Sequence, residues 1–274
     1  MTEHLPSRSL PGLSVRPGGT ARTVRALPEE TPVALVYNGT TQAVMMASPQ
    51  DLEDFAVGFS LTEGIVGRSG EIESLEIEEH DTGIEARLWV AEERAEALGA
   101  RRRAMAGPVG CGLCGIDSIE QAVRPVASLR AGAIRVTAAE VNAAVEALRA
   151  AQVLHDRTRA VHAAGFWQDG RLVAVREDVG RHNALDKLAG ALARAGVDGS
   201  RGAIILTSRV SLEMVQKTAA IGATVLVAVS APTAHAVRLA DAAGLTIAAN
   251  ARGDGFDVFT HPNRIDPGEQ SDVA

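Results

Sequence analysis

The sequence is poor in cysteine, and this scarcity disfavours two kinds of structure. Cys111 and Cys114 are the only two cysteines in 274 residues. A structural zinc site needs four ligands, but none of the seven histidines stands at the H-x3–5-H spacing that would help to complete one. A structural disulfide between these cysteines would close too short a loop to stabilise the chain much. We therefore expect both thiols to be available for chemistry, without zinc.

Aromatic residues and positive charge are also scarce. Aromatic residues make up 3% of the chain, whereas 46% of its residues are hydrophobic and alanine is abundant. This composition excludes a wholly disordered chain and favours closely packed helices on a Val/Ile/Leu sheet. The formal net charge is −7, so the surface as a whole does not attract nucleic acid, and any anion site must be local.

The sequence contains no long hydrophobic run. No stretch of 18 apolar residues is present, and residues 1–20 lack the apolar core of a signal peptide. We therefore expect a cytoplasmic protein without a membrane segment, in which a reducing environment keeps the cysteines as thiols.

What the sequence does contain is a glycine-rich cysteine motif. The segment 107–115 reads Gly-Pro-Val-Gly-Cys-Gly-Leu-Cys-Gly and holds a C-x-x-C. Its glycines and proline prevent a stable helix or central strand, so we predict a mobile loop that carries a nucleophilic sulfur. A thioredoxin-like dithiol remains an alternative, although such a pair normally lies where a strand leads into a helix. The arginines 101–103 form either a solvated face or a group that stabilises a Cys111 thiolate.

The first half of the chain predicts a small α+β part. Residues 1–31 are expected to be a flexible lead, and residues 32–130 an N-terminal subdomain that ends after the cysteine loop. Asn38-Gly39 predicts a hairpin turn, and Ser48-Pro49 predicts the N-cap and first position of a helix. The predicted elements are hairpin strands at 33–37 and 41–46, a helix ended by Gly64, strands at 71–78 and 84–90, and a short helical stretch at 91–98.

Residues 131–265 predict an α/β core, and residues 266–274 a flexible tail. Thr137 and Glu140 form a capping box that opens a helix to about Val153. Beyond it, the predicted strands are 171–175, 203–207, 224–229, 245–249 and 256–260, and the predicted helices are 183–195, 211–221 and 232–243. This alternation favours helices that cover a largely parallel or mixed sheet.

Polar loops follow four of the predicted strands, at 177–183, 207–209, 230–233 and 250–255. If the strands are parallel, these loops meet at one rim, where the N-termini of helices also point. Arg181, Arg209 and Arg252 are then expected to line a pocket for an anionic, nucleotide-like ligand. His182 lies either in this pocket or in an ordinary hydrogen-bonded position at a helix start.

Several known site motifs are absent. The sequence contains neither G-x-G-x-x-G nor G-x-x-x-x-G-K-[ST], so a Rossmann site and a P-loop are not supported. Zinc deaminases need H-x-E and a proline before the first cysteine of their C-x-x-C. Here Gly110 precedes Cys111, and no histidine is followed by x-Glu, so deaminase chemistry is not predicted.

Seven segments of the chain occur in the order found in one known family. They are Val36-Tyr-Asn-Gly39, Ser48-Pro-Gln-Asp-Leu52, Gly58-Phe-Ser-Leu-Thr-Glu-Gly64, Cys111-Gly-Leu-Cys-Gly115, Glu177-Asp-Val-Gly-Arg-His-Asn-Ala-Leu-Asp-Lys187, Glu213-Met-Val-Gln-Lys217 and Ser230-Ala-Pro-Thr233. The run from Glu177 is very specific. On these residues, from about Pro32 to Ile265, the chain resembles the FdhD family, the formate dehydrogenase accessory sulfurtransferases.

The resemblance implies a fold and a function. The fold would be similar to the three-layer core of cytidine deaminases, without their zinc. The function would be to mature molybdenum- or tungsten-dependent formate dehydrogenase. A cysteine desulfurase would pass persulfide sulfur to Cys111, with Cys114 as a second catalytic cysteine. The protein would then deliver this sulfur to the metal of the bis-molybdopterin guanine dinucleotide cofactor.

The resemblance also implies where this cofactor binds. The family's cofactor-binding stretch falls on Asn250, Ala251, Arg252, Gly253, Asp254 and Gly255, and its ligand is the guanine-nucleotide part of the cofactor. Homodimers are implied as well. A chaperone that holds the cofactor without transferring sulfur remains the alternative.

Overall fold

The computed structural model describes residues 4–95, 98, 126, 128, 129, 134–253 and 255–268. The predicted cysteine loop with Cys111 and Cys114, the arginines 101–103, and Asp254 lie outside these described residues. Within them, no helix has both the length and the apolar character needed to span a membrane.

The described residues form strands and helices in the order of a small β-rich part followed by an α/β core. The strands are β1 (Ser7–Arg16), β2 (Gly19–Pro28), β3 (Thr31–Tyr37), β4 (Thr40–Ala47), β5 (Ile72–His80), β6 (Gly83–Val90), β7 (Val136–Thr137), β8 (His162–Gln168), β9 (Arg171–Asp178), β10 (Ala203–Leu206), β11 (Val225–Ala228), β12 (Thr246–Arg252), β13 (Gly255–Val258) and β14 (Ile265–Asp266). The helices are α1 (Leu52–Thr62), α2 (Ala138–Ala150), α3 (Val153–Thr158), α4 (Arg181–Arg194), α5 (Leu212–Ile221) and α6 (Ala234–Ala243).

The predicted mixed α/β class is confirmed, and the core sheet has helices on both faces. Its strand order is β13-β12-β11-β10-β8-β9. Strands β10, β11 and β12 are parallel, whereas β8, β9 and β13 each run antiparallel to a neighbour, so the sheet is mixed. Helices α4, α5 and α6 pack on one face and α2 on the other, which gives three layers.

Strand β8 is the main core element that the sequence does not predict. Its residues, His-Ala-Ala-Gly-Phe-Trp-Gln, show no strong β-branched signal, and five of the seven are buried. Gly165 in this strand meets the side chains of Leu148 and Leu172, which an added Cβ would approach to 3.0 and 2.9 Å. A small residue therefore lets α2 pack closely on the strand.

The smaller part is a four-stranded sheet with the order β4-β3-β6-β5, covered on one face by α1. The predicted hairpin at Asn38-Gly39 and the two following strands are confirmed. The predicted start of the helix is wrong: α1 begins at Leu52, after Asp51. Ser48 does not cap it, because its amide donates to Asp178 and its hydroxyl accepts from the amide of Val179.

The chain before Thr31 also differs from the prediction of a flexible lead. Strands β1 and β2 pair antiparallel along ten residues each, from Ser7 opposite Pro28 to Arg16 opposite Gly19. The turn is Pro17-Gly18, a dipeptide typical of turns. Its flanking strands lack a continuous apolar pattern, which is why the sequence did not reveal them.

Helix α1 joins the two parts by crossing α4 at two glycines. A Cβ added to Gly58 would lie 1.7 Å from the carbonyl oxygen of Asp186, and one added to Gly190 would lie 1.9 Å from that of Asp54. Real Cβ atoms do not approach other atoms so closely. The two helices therefore touch backbone to backbone, and the small part is held directly on the core.

Candidate functional site

Four polar loops of the core lie at one rim. Strand β8 runs antiparallel to both β9 and β10, so β9 points in the same direction as the parallel strands β10, β11 and β12. The carboxyl ends of these four strands therefore meet at the same edge, as the sequence predicts. This is the edge where open α/β sheets bind their ligands.

Helix α4 presents two of the predicted residues to this rim. It begins at Arg181, and its N-cap Gly180 offers no side chain to its first amides. The Nε atom of Arg181 is buried and has no hydrogen-bond partner among the described residues. A helix N-terminus attracts negative charge, and an unpaired guanidinium nitrogen donates to an anion. The N-terminus of α4 and the side chain of Arg181 together place positive charge at this rim.

His182 lies in the next position and is held by a carboxylate. Its Nε2 atom is 2.7 Å from Oε2 of Glu213 in the first turn of α5, and Ser211 donates to the same oxygen at 3.3 Å. Burial would raise the pKa of Glu213, but the hydrogen bonds and charge of His182, together with Ser211 and Arg181, lower it below its usual value. Glu213 therefore stays ionised and fixes the His182 ring.

Arg209 lies in the loop after β10, and Arg252 is the last residue of β12, with β11 between these two strands. Both are exposed, and Nε of Arg252 donates to the carbonyl oxygen of Val229 at 3.1 Å. This bond anchors Arg252 at the end of β11 while leaving it exposed. Arg181, His182, Arg209 and Arg252 thus lie at the carboxyl ends of β9, β10 and β12, along one rim.

The predicted loop at 250–255 is shorter than expected. Strand β12 continues to Arg252 and β13 begins at Gly255, with a register shift between Ala249 and Arg252. Asn250 adopts a left-handed conformation at φ 57° and bonds to Asp257 at 2.7 Å, while Gly253 in the turn has φ 64°. The register shift leaves Asn250 exposed, and β12 and β13 pair on both sides of it. Within the stretch, Ala251 is buried, and Asn250, Gly253 and Gly255 are exposed.

Two further histidines at the rim were not predicted. His162 begins β8, and His155 in α3 has its Nδ1 atom 3.1 Å from the carbonyl oxygen of Val161. Burial lowers the pKa of His162, and so do the positive charges of Arg181, His155 and His182. Arg181, His155 and His182 therefore lie close enough to act electrostatically on His162. The segment Val161-His-Ala-Ala was the available signal, but a lone histidine beside small residues carries little information.

We expect the substitution Arg181→Gln to raise the pKa of His162, because it removes a nearby positive charge. An NMR titration of the histidine ring protons measures this change. The control is Arg209→Gln, since Arg209 is not among the groups that shift His162. An unchanged His162 pKa in the Arg181 variant would contradict the placement of the two side chains.

The acidic residues of the run 177–187 serve the structure. Both carboxylate oxygens of Glu177 accept backbone amides at the start of α3, from Leu154 at 2.7 Å and His155 at 2.8 Å. Asp178 accepts amides from Ser48 and Gly180 and lies 2.6 Å from Nζ of Lys187. These contacts hold buried backbone and leave Arg181 and His182 as the members of the run that face the rim.

A second buried network joins the same two parts. Nζ of Lys217 in α5 is 2.8 Å from Asp186 and 2.9 Å from Glu63, and Thr62 donates to Asp186 at 2.6 Å. Lys217 comes from the core, whereas Thr62 and Glu63 end α1. The end of α1 is therefore tied to α4 and α5 by ion pairs between elements distant in sequence.

The fold and the rim define a mixed α/β protein whose core sheet carries arginines and histidines along one edge, together with a smaller β-rich part. The sequence model of the FdhD/NarQ family matches residues 28–266, and the chain belongs to this family. The predicted resemblance is therefore confirmed. The matched region begins at the last residue of β2, so the N-terminal hairpin precedes it.

Individual relatives cover nearly the whole chain. A protein of Agrobacterium fabrum named sulfur carrier protein FdhD is 56% identical over 92% of this chain and 93% of its own length. A protein of the same name from Brucella abortus is 54% identical over 97% and 99%. A solved structure from Desulfotalea psychrophila, described as a candidate formate dehydrogenase accessory protein, is similar with a TM-score of 0.73 and 27% identity, over 94% of this chain and 99% of that one.

Proposed function

We propose that this protein is a sulfur carrier in the maturation of formate dehydrogenase. It would act as a sulfurtransferase that takes persulfide sulfur from a cysteine desulfurase and gives it to the metal of the bis-molybdopterin guanine dinucleotide cofactor. The observation that carries this proposal is that relatives 54–56% identical over most of the chain are named sulfur carriers. The D. psychrophila neighbour supports the link to formate dehydrogenase.

The loading step requires one thiolate. Cys111 would attack the outer sulfur of the desulfurase persulfide, form a new S–S bond and release the desulfurase cysteine as a thiolate. Cys111 then carries the sulfur as its own persulfide. Attack depends on the thiolate form, and nearby cations lower a thiol pKa. The predicted source of such charge is the arginine run at 101–103.

The release step gives a role to the second cysteine. The thiolate of Cys114 would attack Sγ of Cys111, close a disulfide and expel the outer sulfur as hydrosulfide, which is delivered to the metal. A dithiol reductant must then reopen the disulfide before the next cycle. Shielding of the persulfide by Cys114 is the alternative role.

The rim would bind the cofactor through its guanine-nucleotide part. The cofactor carries phosphates, for which guanidinium groups and helix N-termini are suited donors. Three features favour this placement: the unpartnered Nε of Arg181, the absence of a side-chain cap on α4, and the exposed side chains of Arg209 and Arg252 on the same rim. The exposed residues Asn250, Gly253 and Gly255 would allow close approach of the ligand, and Ala251 beside them is buried. Asp254, which the resemblance also assigns to this site, lies outside the described residues.

We expect Arg252→Ala to weaken the binding of guanosine diphosphate about tenfold or more. A hydrogen bond to a charged group is worth about 1.5–3 kcal/mol, and each 1.4 kcal/mol changes affinity about tenfold. Isothermal titration calorimetry measures the loss. Arg171→Ala is the matched control, because Arg171 is also exposed but begins β9 at the opposite end of that strand. Unchanged affinity of the Arg252 variant would remove this residue from the site.

Sulfur loading separates a carrier from a chaperone. The purified protein is incubated with a cysteine desulfurase and cysteine, and its intact mass is measured with and without a reductant. A gain of one sulfur that the reductant removes supports the carrier. No gain with a competent desulfurase would replace this proposal with that of a chaperone that only holds the cofactor. The protein would act in the cytoplasm, as a homodimer, on a molybdenum or tungsten cofactor.

A further inference from the structure

The pair formed by His182 and Glu213 is a feature of the rim that anion binding does not explain. Nε2 of His182 lies 2.7 Å from Oε2 of Glu213, and the two side chains are only 23% and 22% exposed. A site that only bound phosphate would need positive charge, whereas here an ionised carboxylate lies at the rim and holds a histidine. A carboxylate that orients a histidine is typical of a group that transfers protons. The pair therefore indicates chemistry at this rim in addition to binding.

The hydrogen bond to Glu213 determines which ring nitrogen can exchange a proton. Because Nε2 of His182 faces the carboxylate, its proton is held there, and Nδ1 is the nitrogen that gains or loses a proton. Nδ1 makes no hydrogen bond to the part of the chain that the structure describes. Ser211 donates to the same carboxylate oxygen at 3.3 Å. Two residues at the start of α5 thus orient the ring and leave its second nitrogen for a ligand.

The charges near the ring suit a proton donor. The groups that act on His182, Glu213 or the neighbouring His162 come from five elements: Arg181 of α4, Glu213 of α5, His162 of β8, His155 of α3 and Asp178 of β9. The carboxylate of Glu213 favours the protonated form of the ring to which it is bonded, whereas the guanidinium of Arg181 opposes it. Histidine is the side chain best suited to gain and lose a proton near neutral pH.

The pair lies along the rim from the stretch 250–255, which is expected to hold the guanine nucleotide. That stretch follows the end of β12, whereas Glu213 follows β10, two strands away in the sheet. Neighbouring strands are about 4.8 Å apart, so the two places are separated by roughly 10 Å. In the cofactor, the metal lies away from the nucleotide. A cofactor whose nucleotide occupies 250–255 can therefore extend along the rim toward His182.

We propose that His182 is the proton donor for the delivery of sulfur to the metal, and that Glu213 is its positioning residue; this inference rests on the proposed sulfur transfer. The hydrosulfide released from Cys111 displaces an oxygen ligand of the metal, so that a metal–sulfur bond forms as the metal–oxygen bond breaks. The oxygen leaves as water and needs two protons. The hydrosulfide brings one, and Nδ1 of the protonated His182 gives the other. The ring regains its proton from solvent, and the metal is neither oxidised nor reduced.

Discharge of the persulfide tests this role. The chain is loaded by a desulfurase and cysteine, separated from both, and mixed with isolated bis-molybdopterin guanine dinucleotide whose metal carries an oxygen ligand. Intact mass follows the loss of the bound sulfur. Attack by Cys114 requires its thiolate and donation by His182 requires its proton, so the rate of the parent should rise and then fall as pH increases.

The variant His182→Asn is expected to discharge about 100-fold more slowly, or worse, and to lose the fall in rate at higher pH, because its side chain cannot donate a proton as an acid. Loading should be unchanged, since it passes sulfur between two cysteines. The affinity for guanosine diphosphate should also be unchanged, since this probe lacks the metal.

The matched control is His261→Asn. Nε2 of His261 also lies near a carboxylate, 3.5 Å from Oδ1 of Asp241. However, the carbonyl oxygen of His261 accepts from Thr246, the first residue of β12, so this pair lies at the end of the sheet opposite the rim. His261→Asn should keep the rate and pH profile of the parent.

The variant Glu213→Gln tests the positioning residue. It keeps an oxygen acceptor for Nε2 of His182 but removes the charge that favours the protonated ring. The fall in rate should therefore begin at lower pH, whereas a purely structural role of Glu213 would leave its position unchanged. Circular dichroism checks that the variants are folded, and Glu213→Gln decides the question if His182→Asn is not.

Each remaining outcome contradicts a specific part. A His182→Asn chain that discharges at the rate of the parent, or keeps the fall at higher pH, overturns the proposal. A loss of affinity for guanosine diphosphate as large as the loss of rate does so too, because His182 would then be a binding residue. An unmoved profile in Glu213→Gln overturns the role of Glu213. A parent chain that gains no sulfur overturns the carrier function at loading, before His182 takes part.

Discussion

Replacement of Cys111 by serine is expected to abolish persulfide loading completely. A serine hydroxyl is not ionised near neutral pH and cannot hold a sulfane sulfur, so the effect is a loss of the reaction and not a slower rate. The chain contains only one other thiol, Cys114. Intact-mass measurement after incubation with a desulfurase therefore gives a simple answer, a sulfur gain in the parent and none in the variant.

The matched control is Cys114→Ser. It removes the other thiol of the same C-x-x-C and is expected to keep the reducible sulfur gain, because Cys114 acts only in release. Accumulation of a longer-lived persulfide in this variant would support that role. Full loading of Cys111→Ser would contradict the assignment of the carrier cysteine and transfer it to Cys114.

Replacement of Lys187 by methionine is expected to lower the free energy of unfolding by about 3–5 kcal/mol, the usual cost of removing one partner of a buried ion pair. Lys187 and Asp178 are both fully buried, with Nζ and the carboxylate 2.6 Å apart. Burial lowers the pKa of Lys187, and the charge of Asp178 opposes this effect. Without the ammonium group, the carboxylate of Asp178 would stay buried with only its neutral hydrogen-bond donors.

Urea denaturation measures this loss as a lower midpoint at an unchanged slope. The control is Arg149→Met, which also removes one partner of an ion pair. Arg149 and Glu146 are both largely exposed and 3.7 Å apart, so this change should stay within about 0.5 kcal/mol. A loss for Lys187→Met no larger than that of the control would show that the buried pair contributes nothing to stability.

The elements that the sequence predicts well are those with a local signal. Asn38-Gly39 sets a hairpin turn by itself, and the capping box of Thr137 and Glu140 forms as predicted, with both reciprocal hydrogen bonds. Helix α2 nevertheless ends at Ala150, and a separate helix, α3, begins at Val153. The capping box therefore fixed the start of α2, whereas no comparable local signal marked its end.

The sequence-based predictions fail where contacts between residues distant in sequence determine the local structure. Ser48 has the local features of an N-cap, but Asp178, 130 residues away, takes its amide and displaces the helix start. The same reason hides the roles of Glu177 and Asp178, because donors such as the amides of Leu154 and Ser48 are brought close to them only by the folded chain. Spacing along the sequence carries no information about such contacts.

The rim was predictable because sheet topology alone places its loops together. Arg181 and Arg209 follow β9 and β10, and Arg252 ends β12. These strands share one direction, which follows from the alternation of strands and helices. The bond between His182 and Glu213 was not predictable, since it requires the packing of α4 against α5. His162 was missed for the same reason.

The interlocked junction between the two parts has a consequence for how such chains vary. Gly58 and Gly190 touch backbone to backbone, and Lys187 and Lys217 each meet groups from both parts. If one part were replaced by that of a distant relative, both the close contact between α1 and α4 and the ion pairs across the junction would therefore be disrupted. The two parts are expected to be inherited together, as a single recombination unit, even though the sequence divides naturally between them.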